Sequence, residues 1–252
     1  MKNKPKINWS LIFNALEKWK ARLSAKDEPS MKDKPSVEEG KTNIPVDPSV
    51  TTIAEHFRYY DGDKIVSDPW AVLVSTIISL RTKDEVTLVA SERLLKKAKT
   101  PALLHDMKEA VIEKLIYPAG FYRNKTTSLK KIAKILLEQY DGKVPSTMDK
   151  LLALPGVGRK TANLVLVEAF DIPAICVDIH VHRISNRCGW LESKTPDDTE
   201  MILREILPGK YWKRINYLLV LYGQRVCRPV SPFCSQCVIR KYCERSGVVK
   251  AR

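Results

Sequence analysis

The stretch from Val144 to Phe170, which reads VPSTMDKLLALPGVGRKTANLVLVEAF, contains two helical patterns separated by glycines. The first pattern predicts a helix over Met148–Leu154, with Ser146 as its N-cap and Pro155 at its end. The second pattern is apolar on nearly every side, which indicates a helix buried in the core. The stretch therefore predicts a tight hairpin between two packed helices.

The turn of this hairpin has the composition of a phosphate-binding site. Gly156 and Gly158 flank Val157 and permit backbone conformations that other residues avoid, so the second helix is predicted to begin near Arg159. The N–H groups and the positive end of a helix start bind phosphate. A simple tight turn is the alternative, but Arg159 and Lys160 follow at once, which favours contact with phosphate groups.

Lys160 is a candidate nucleophile, because it falls in the first turn of the second helix, where the positive end of the helix dipole disfavours an ammonium group. An ordinary lysine, with a pKa of about 10.4, has little free amine near neutral pH, so a lowered pKa suits an amine nucleophile. A solvated surface lysine is the alternative interpretation.

The composition indicates a folded protein with a polyanionic partner. The chain has 252 residues, 44% hydrophobic and 29% charged, and a formal net charge of +14. Such an excess of positive charge favours nucleic acid as the partner, although charge alone does not separate DNA, RNA and an anionic membrane. The sequence shows neither a bilayer-spanning apolar run nor a secretory signal, so we expect an intracellular protein with reduced thiols.

Helical patterns dominate from about residue 51 to about residue 224, and the predicted fold class is all-α. Residues 25–50, rich in Pro, Ser, Lys and acidic side chains, are predicted to form a linker. Besides the hairpin, helices are predicted over Asn8–Leu23, Pro69–Leu80, Asp84–Lys97, Met107–Leu115 and Thr127–Tyr140.

Four cysteines near the C-terminus have the spacing C-x6-C-x2-C-x5-C, namely Cys227, Cys234, Cys237 and Cys243. Four thiols within seventeen residues of an intracellular chain are typical of metal ligands. Four-cysteine zinc sites usually have two C-x-x-C pairs, and only one is present, so the asymmetric loop favours an iron–sulfur cluster over zinc. Cys176 and Cys188 fall on apolar faces and are interpreted as core thiols.

The cysteine segment is also basic, with seven Lys or Arg against one acidic residue between Arg225 and Arg252. Arg240 and Lys241 lie between the last two cysteines, where a rigid loop would present them to phosphate groups.

Asp178 precedes a helical pattern in the stretch VDIHVHRISNR, where aspartate is a preferred N-cap. The residues alone therefore favour a capping role for Asp178.

The stretches LPGVGRKTANLVL, VDIHVHRISNR, TIISLRTKDEVT and LIYPAGFYRNK closely resemble the endonuclease III branch of the helix-hairpin-helix DNA glycosylases, over about Asp63 to Glu244. The resemblance implies that Lys160 is a Schiff-base nucleophile, that Asp178 is the catalytic carboxylate, and that the four cysteines bind a [4Fe–4S] cluster. It implies two domains with double-stranded DNA in the cleft between them, and we expect the protein to be a monomer. It also implies the domain ranges: an extension and linker (1–45), a six-helix domain (62–172) and a cluster domain in two parts (46–61 and 173–252).

The resemblance further implies that two loops, around Leu80 and Arg81 and around Phe121, fill the space left by an everted nucleotide. The family often has a glutamine in the first loop, and this chain has Leu80 and Arg81 instead, so the lesion range and the preferred opposite base stay open.

The expected activity is that of a bifunctional glycosylase and AP lyase that excises oxidised or ring-saturated pyrimidines. Two alternatives remain at this point. A monofunctional mismatch or adenine glycosylase of the same superfamily typically lacks a lysine at the position of Lys160. A non-catalytic iron–sulfur DNA-binding protein would leave Lys160 and Asp178 unexplained.

Overall fold

The computed structural model describes residues 7–24, 58–61 and 64–252, and these form two compact units. The first unit comprises residues 7–24 and 175–252, and the second comprises the described residues between 58 and 174. The domain division expected from the sequence, after residue 172, falls two residues before this boundary. The predicted linker at residues 25–50 lies outside the described residues.

The second unit starts with a short β-hairpin and continues with helices. Strands β1 (Arg58–Asp61) and β2 (Lys64–Ser67) pair antiparallel. The helices described in this unit are α2 (Pro69–Ser79), α3 (Asp84–Lys97), α4 (Pro101–Asp106), α5 (Glu109–Ile116), α6 (Tyr122–Gln139), α7 (Met148–Leu152) and α8 (Arg159–Phe170). With its two short helices, the unit has seven described helices where the resemblance implied six.

The predicted all-α class is confirmed, with the β-hairpin as the one departure within the described residues. The strands have four residues each, and alternation over so short a run is not distinguishable from a turn of helix in the sequence. Strand β1 lies in the second unit, whereas the sequence division placed residues 46–61 in the cluster domain.

Helix α2 forms the centre of the second unit. Asp68 caps its N-terminus by accepting a hydrogen bond from the Trp70 backbone N–H at 3.0 Å, and Pro69 occupies the first turn. The helix is buried from Trp70 to Ile78, and the Trp70 indole N–H donates to the Ala98 carbonyl at 3.0 Å. Helix α2 packs against α3 and α8, so it supports the second helix of the glycine hairpin.

The first unit contains four described α-helices, which are α1 (Trp9–Ser24), α9 (Ile179–Arg187), α10 (Pro196–Ile206) and α11 (Trp212–Arg225). Helix α1 contributes Trp9, Ile12, Phe13 and Leu16 to the core, and it contacts α11. The sequence predicted this helix but assigned it to an extension beyond the domains, whereas it is part of the first unit's core.

None of the described helices combines the length and the apolar character needed to cross a membrane.

Candidate active site

The glycine hairpin lies between α7 and α8. Helix α7 begins after Thr147, which is its N-cap and makes no side-chain capping hydrogen bond, so the prediction of Ser146 as the cap was wrong by one residue. Gly156 adopts a positive φ of 80°, which favours glycine at this turn. Val157 is buried in the core of the second unit and anchors the turn between the two helices.

Gly158 is the N-cap of α8, with a φ of −93° and no side chain to cap the helix. A Cβ atom at this position would meet no protein atom within 4 Å, so neither backbone strain nor packing within the protein requires glycine here. The open space in front of the helix start is the feature that lets a ligand approach the backbone closely.

Lys160 is the second residue of α8, and its side chain is exposed. The next turn of the same helix is buried, with Thr161, Ala162 and Asn163 in the interior. The sequence prediction that Lys160 lies in the first turn of the second helix is therefore confirmed, and five of the twelve residues of this helix are buried. Because the following residues of the helix are buried, the backbone of Lys160 is held in a fixed position, which is a requirement for an oriented nucleophile.

Asp178 is the N-cap of α9, as its sequence position predicted. Its Oδ1 atom accepts hydrogen bonds from the backbone N–H groups of His180 and Val181, both at 2.9 Å. Oδ2 takes no part in these capping hydrogen bonds. Capping therefore uses one carboxylate oxygen and leaves the second one for another role.

Helix α9 connects Asp178 to the cysteine loop within the first unit. Arg183 donates from Nη2 to the Cys227 carbonyl at 2.9 Å, and Arg187 donates from Nη1 to Cys227 Sγ at 3.4 Å. Because both arginines lie on the helix that Asp178 caps, the loop and the carboxylate share one support.

The four cysteines of the loop are half-buried and form no disulfide bond. Tyr222, fully buried beside them, donates its hydroxyl to Cys237 Sγ at 3.1 Å and accepts the Val238 backbone N–H at 3.0 Å. Burial raises the pKa of the Cys227 and Cys237 thiols, and the hydrogen bonds from Arg187 and Tyr222 act in the opposite direction. Donors aimed at the sulfur atoms favour thiolates, the form in which cysteine binds metals.

Within the described residues, no three or more His, Cys, Asp or Glu side chains are arranged to hold a single metal ion. The loop supplies four thiols, and hydrogen-bond donors from Arg187 and Tyr222 are directed at two of their sulfur atoms. Cys188, interpreted from the sequence as a core thiol, is buried, and the neighbouring Cys243 together with burial raises the pKa of its thiol. The sequence analysis did not single out Arg187 or Tyr222, since neither spacing nor residue type marks them as sulfur partners.

The remaining predicted DNA contacts lie on exposed turns of the two units. Arg240 and Lys241 are exposed on a 3-10 turn between Cys237 and Cys243 in the first unit. In the second unit, Leu80 is half-buried against the core, whereas Arg81 and Phe121 are exposed.

Comparison with known proteins places the chain in a family. The profile of the HhH-GPD superfamily of base excision DNA repair proteins matches residues 74–209. Endonuclease III of Thermotoga maritima is 46% identical over 178 residues, covering 71% of this chain and 84% of that protein. The chain belongs to the endonuclease III family.

Two further comparisons extend this result. Endonuclease III homolog 2 of Arabidopsis thaliana, a chloroplastic protein, is 45% identical over 181 residues, which are 68% of this chain but only 47% of that protein. A solved structure of a trapped endonuclease III–DNA covalent intermediate superposes with a TM-score of 0.70 at 26% identity, covering 94% of this chain and 95% of that one. The fold of the described residues is therefore similar to that of a solved endonuclease III.

Proposed function

We propose that this member of the endonuclease III family is a bifunctional DNA glycosylase and AP lyase that acts as a monomer on damaged double-stranded DNA. Its substrates are oxidised or ring-saturated pyrimidines, which it removes before it nicks the strand 3′ to the abasic site. Family membership supports the enzyme class, and the residues of this chain support the chemistry assigned to them below.

The observation that carries the proposal is the exposed amine of Lys160 on the first turn of α8, next to the open helix start at Gly158. A helix start that holds a DNA phosphate would place this amine beside the neighbouring sugar. The solved relative that was trapped as a covalent intermediate with DNA is consistent with a nucleophile in the family.

The reaction begins when the neutral amine of Lys160 attacks C1′ of the damaged nucleotide. The glycosidic bond breaks, and the base leaves with the bonding electron pair and takes up a proton. The sugar ring then opens as nitrogen forms an imine with C1′ and O4′ takes up a proton. Loss of a proton from C2′ expels the 3′ phosphate, and hydrolysis of the imine releases Lys160.

Asp178 stabilises the positive charge that develops on the sugar, or assists proton transfer, through the oxygen that does not cap α9. Oδ1 is committed to the backbone of His180 and Val181, which holds the carboxylate in a fixed orientation. A carboxylate held by two N–H groups needs little reorganisation when charge develops.

DNA binding is assigned to backbone and basic contacts that do not read sequence. The Gly156–Arg159 turn would hold one phosphate group, and Arg240 and Lys241 would hold others. Leu80, Arg81 and Phe121 would occupy the space of the everted nucleotide.

Cys227, Cys234, Cys237 and Cys243 would hold a [4Fe–4S] cluster, which supplies, when bound, a covalent cross-link that makes the loop rigid. The loop residues themselves present Arg240 and Lys241, and Arg187 and Tyr222 orient the sulfur atoms. No catalytic step depends on electron transfer in this scheme.

A panel of duplexes, each with one defined lesion, tests this function. Release of an oxidised pyrimidine followed by a β-elimination nick is the expected result, and an abasic duplex should be nicked directly. Release of a mismatched adenine without a nick would instead indicate a monofunctional glycosylase, and binding without any product would indicate a non-catalytic protein.

A further inference from the structure

Two loops of the second unit each turn on a residue with a left-handed backbone. The Arg81 loop (residues 80–83) joins α2 to α3, and the Phe121 loop (residues 117–121) joins α5 to α6. Arg81 has a φ of 52° and Phe121 a φ of 55°. Non-glycine residues rarely adopt such φ values. Those that do are concentrated at sites where the surrounding structure fixes a functional geometry.

The backbones of the two loops are in direct contact. A Cβ atom on Gly120 would lie 2.4 Å from the Arg81 carbonyl oxygen, so only glycine permits this approach. The Gly120 backbone N–H also donates to Thr82 Oγ1 at 3.1 Å. The conformation of one loop is therefore tied to that of the other.

Lys125, on the second turn of α6, lies under both loops and is buried. Its Nζ donates to the Ile78 carbonyl at 2.6 Å and to Thr82 Oγ1 at 2.7 Å. Thr82 Oγ1 thus accepts from Lys125 and from Gly120 at once, which makes it the common point of the contact.

The carbonyl groups at the end of α2 explain why position 125 is a lysine. The last carbonyl groups of a helix have no partner within the helix and carry partial negative charge, and α2 has no basic residue in its own last turn. Lys125 supplies that cation from α6 through the Ile78 carbonyl. Burial lowers the pKa of Lys125 to about 8, so the position carries a desolvation cost that a merely structural apolar residue would avoid.

At the surface, the side chains of Arg81 and Phe121 contact each other. The Arg81 guanidinium lies over the Phe121 ring, 5.5 Å from its centroid, and Phe121 is 60% exposed. A large exposed aromatic ring beside a guanidinium suits stacking against a nucleotide base.

We propose that Lys125 is a positioning residue that holds the Arg81 loop and the Phe121 loop as one body, so that Arg81 and Phe121 enter duplex DNA together. This inference rests on the proposed function, because it takes DNA as the occupant of the surface. Without Lys125 the two side chains would act separately, and nucleotide eversion would become less favourable.

The first test is Lys125→Met, which keeps a similar side-chain length but removes the donor, with Lys131→Met as the matched control. Lys131 lies on the same helix and is exposed, so its loss removes an equal charge without touching the loops. The readout is the fluorescence of 2-aminopurine placed opposite a tetrahydrofuran abasic site, which rises when the base loses its stacking. Lys125→Met should reduce the amplitude several-fold, and Lys131→Met should match the wild type.

The second test is a double-mutant cycle of Arg81→Ala and Phe121→Ala, read as the Kd for the same duplex. In the wild-type background the two effects should be coupled by about two- to fivefold, the range of a cation–π pair. In the Lys125→Met background the coupling should vanish, so the fold-change in Kd of the double variant should equal the product of the two single fold-changes.

Thr82→Val provides a second route if Lys125→Met fails to fold, since it removes the acceptor of both loop contacts. It should reproduce the loss of fluorescence and of coupling. If a folded variant of Lys125 or Thr82 keeps the wild-type fluorescence and coupling, the inference is overturned. Failure of the wild-type protein to nick abasic DNA would instead overturn the proposed function, so the two failures are distinguishable.

Discussion

Asp178 Oδ1 accepts a 2.9 Å hydrogen bond from the Val181 backbone N–H, and Oδ2 is not used for capping. The geometry separates two roles that the sequence alone could not separate. An amide at position 178 would still offer one oxygen to the helix start, but it would carry no negative charge. Capping and catalysis can therefore be tested independently.

Asp178→Asn should keep its thermal stability and DNA affinity but lose at least about a hundredfold in turnover, because the charge that stabilises the sugar is gone. Single-turnover kinetics on lesion duplexes measure this. The matched control is Asp68→Asn, since Asp68 also caps a helix through one side-chain oxygen. If both substitutions change turnover equally and only slightly, Asp178 is a capping residue and has no catalytic role.

The helix boundaries show which sequence signals suffice. Helix α3 was predicted with its observed bounds, because acidic Asp84 and Glu85 mark its start and basic Lys96 and Lys97 mark its end. Helix α6 begins at Tyr122, five residues before the predicted start at Thr127, because its N-cap is Phe121 in a left-handed conformation. A phenylalanine cap carries no start signal, since its side chain cannot accept a hydrogen bond.

The sequence predicted those residues of the candidate site that residue type and spacing indicate. Lys160 was singled out by its place after the glycine turn, whereas for Asp178 the sequence position alone indicated a capping role and only the family resemblance implied catalysis. The structure places both residues at helix starts, as the sequence predicts. Lys125, Tyr222 and Arg187 were missed, because their importance comes from burial and from contacts with residues distant in the chain. Lysine in particular is normally exposed, so a buried one has no signature in a single sequence.

Lys241→Ala should weaken DNA binding equally on all sequences and make the salt dependence shallower by about one unit of the log–log slope. The wild-type slope should be about −4 to −5 if about five phosphate groups are neutralised. Fluorescence anisotropy over a salt series measures both slopes. Lys99→Ala, an exposed lysine outside the basic segment, serves as the control. Affinity that does not change with salt would remove DNA from the list of partners.

Cys234→Ser should yield protein with depleted iron and sulfide and with weaker DNA binding, because the loop needs four thiolates to keep its shape. The wild-type protein should be yellow-brown and contain iron and sulfide in equal amounts. Cys176→Ser is the control, since Cys176 is a buried thiol outside the loop, and it should retain the metal content. Colourless wild-type protein with stoichiometric zinc would refute the cluster.

Tyr222→Phe should make the cluster harder to reduce, because it removes the hydroxyl that donates to Cys237 Sγ and so stabilises the more negative state. A shift of about 40 mV to lower potential corresponds to a net hydrogen bond of about 1 kcal/mol in a one-electron couple. Voltammetry of the holoprotein measures the shift. Tyr211→Phe, a buried tyrosine in the same core, should leave the potential unchanged, and an equal shift in both variants would argue against a specific hydrogen bond.

The most direct test of the account is covalent trapping at Lys160. Borohydride added during the reaction reduces an imine, so wild-type protein should become cross-linked to abasic or lesion DNA. Lys160→Gln should bind DNA but should neither become trapped on it nor nick it. Lys150 is an exposed lysine on the first helix of the hairpin, so the control variant Lys150→Gln should still become trapped and still nick DNA. If Lys160→Gln nicks abasic DNA at the wild-type rate and still becomes trapped, Lys160 is not the nucleophile and the mechanism is contradicted.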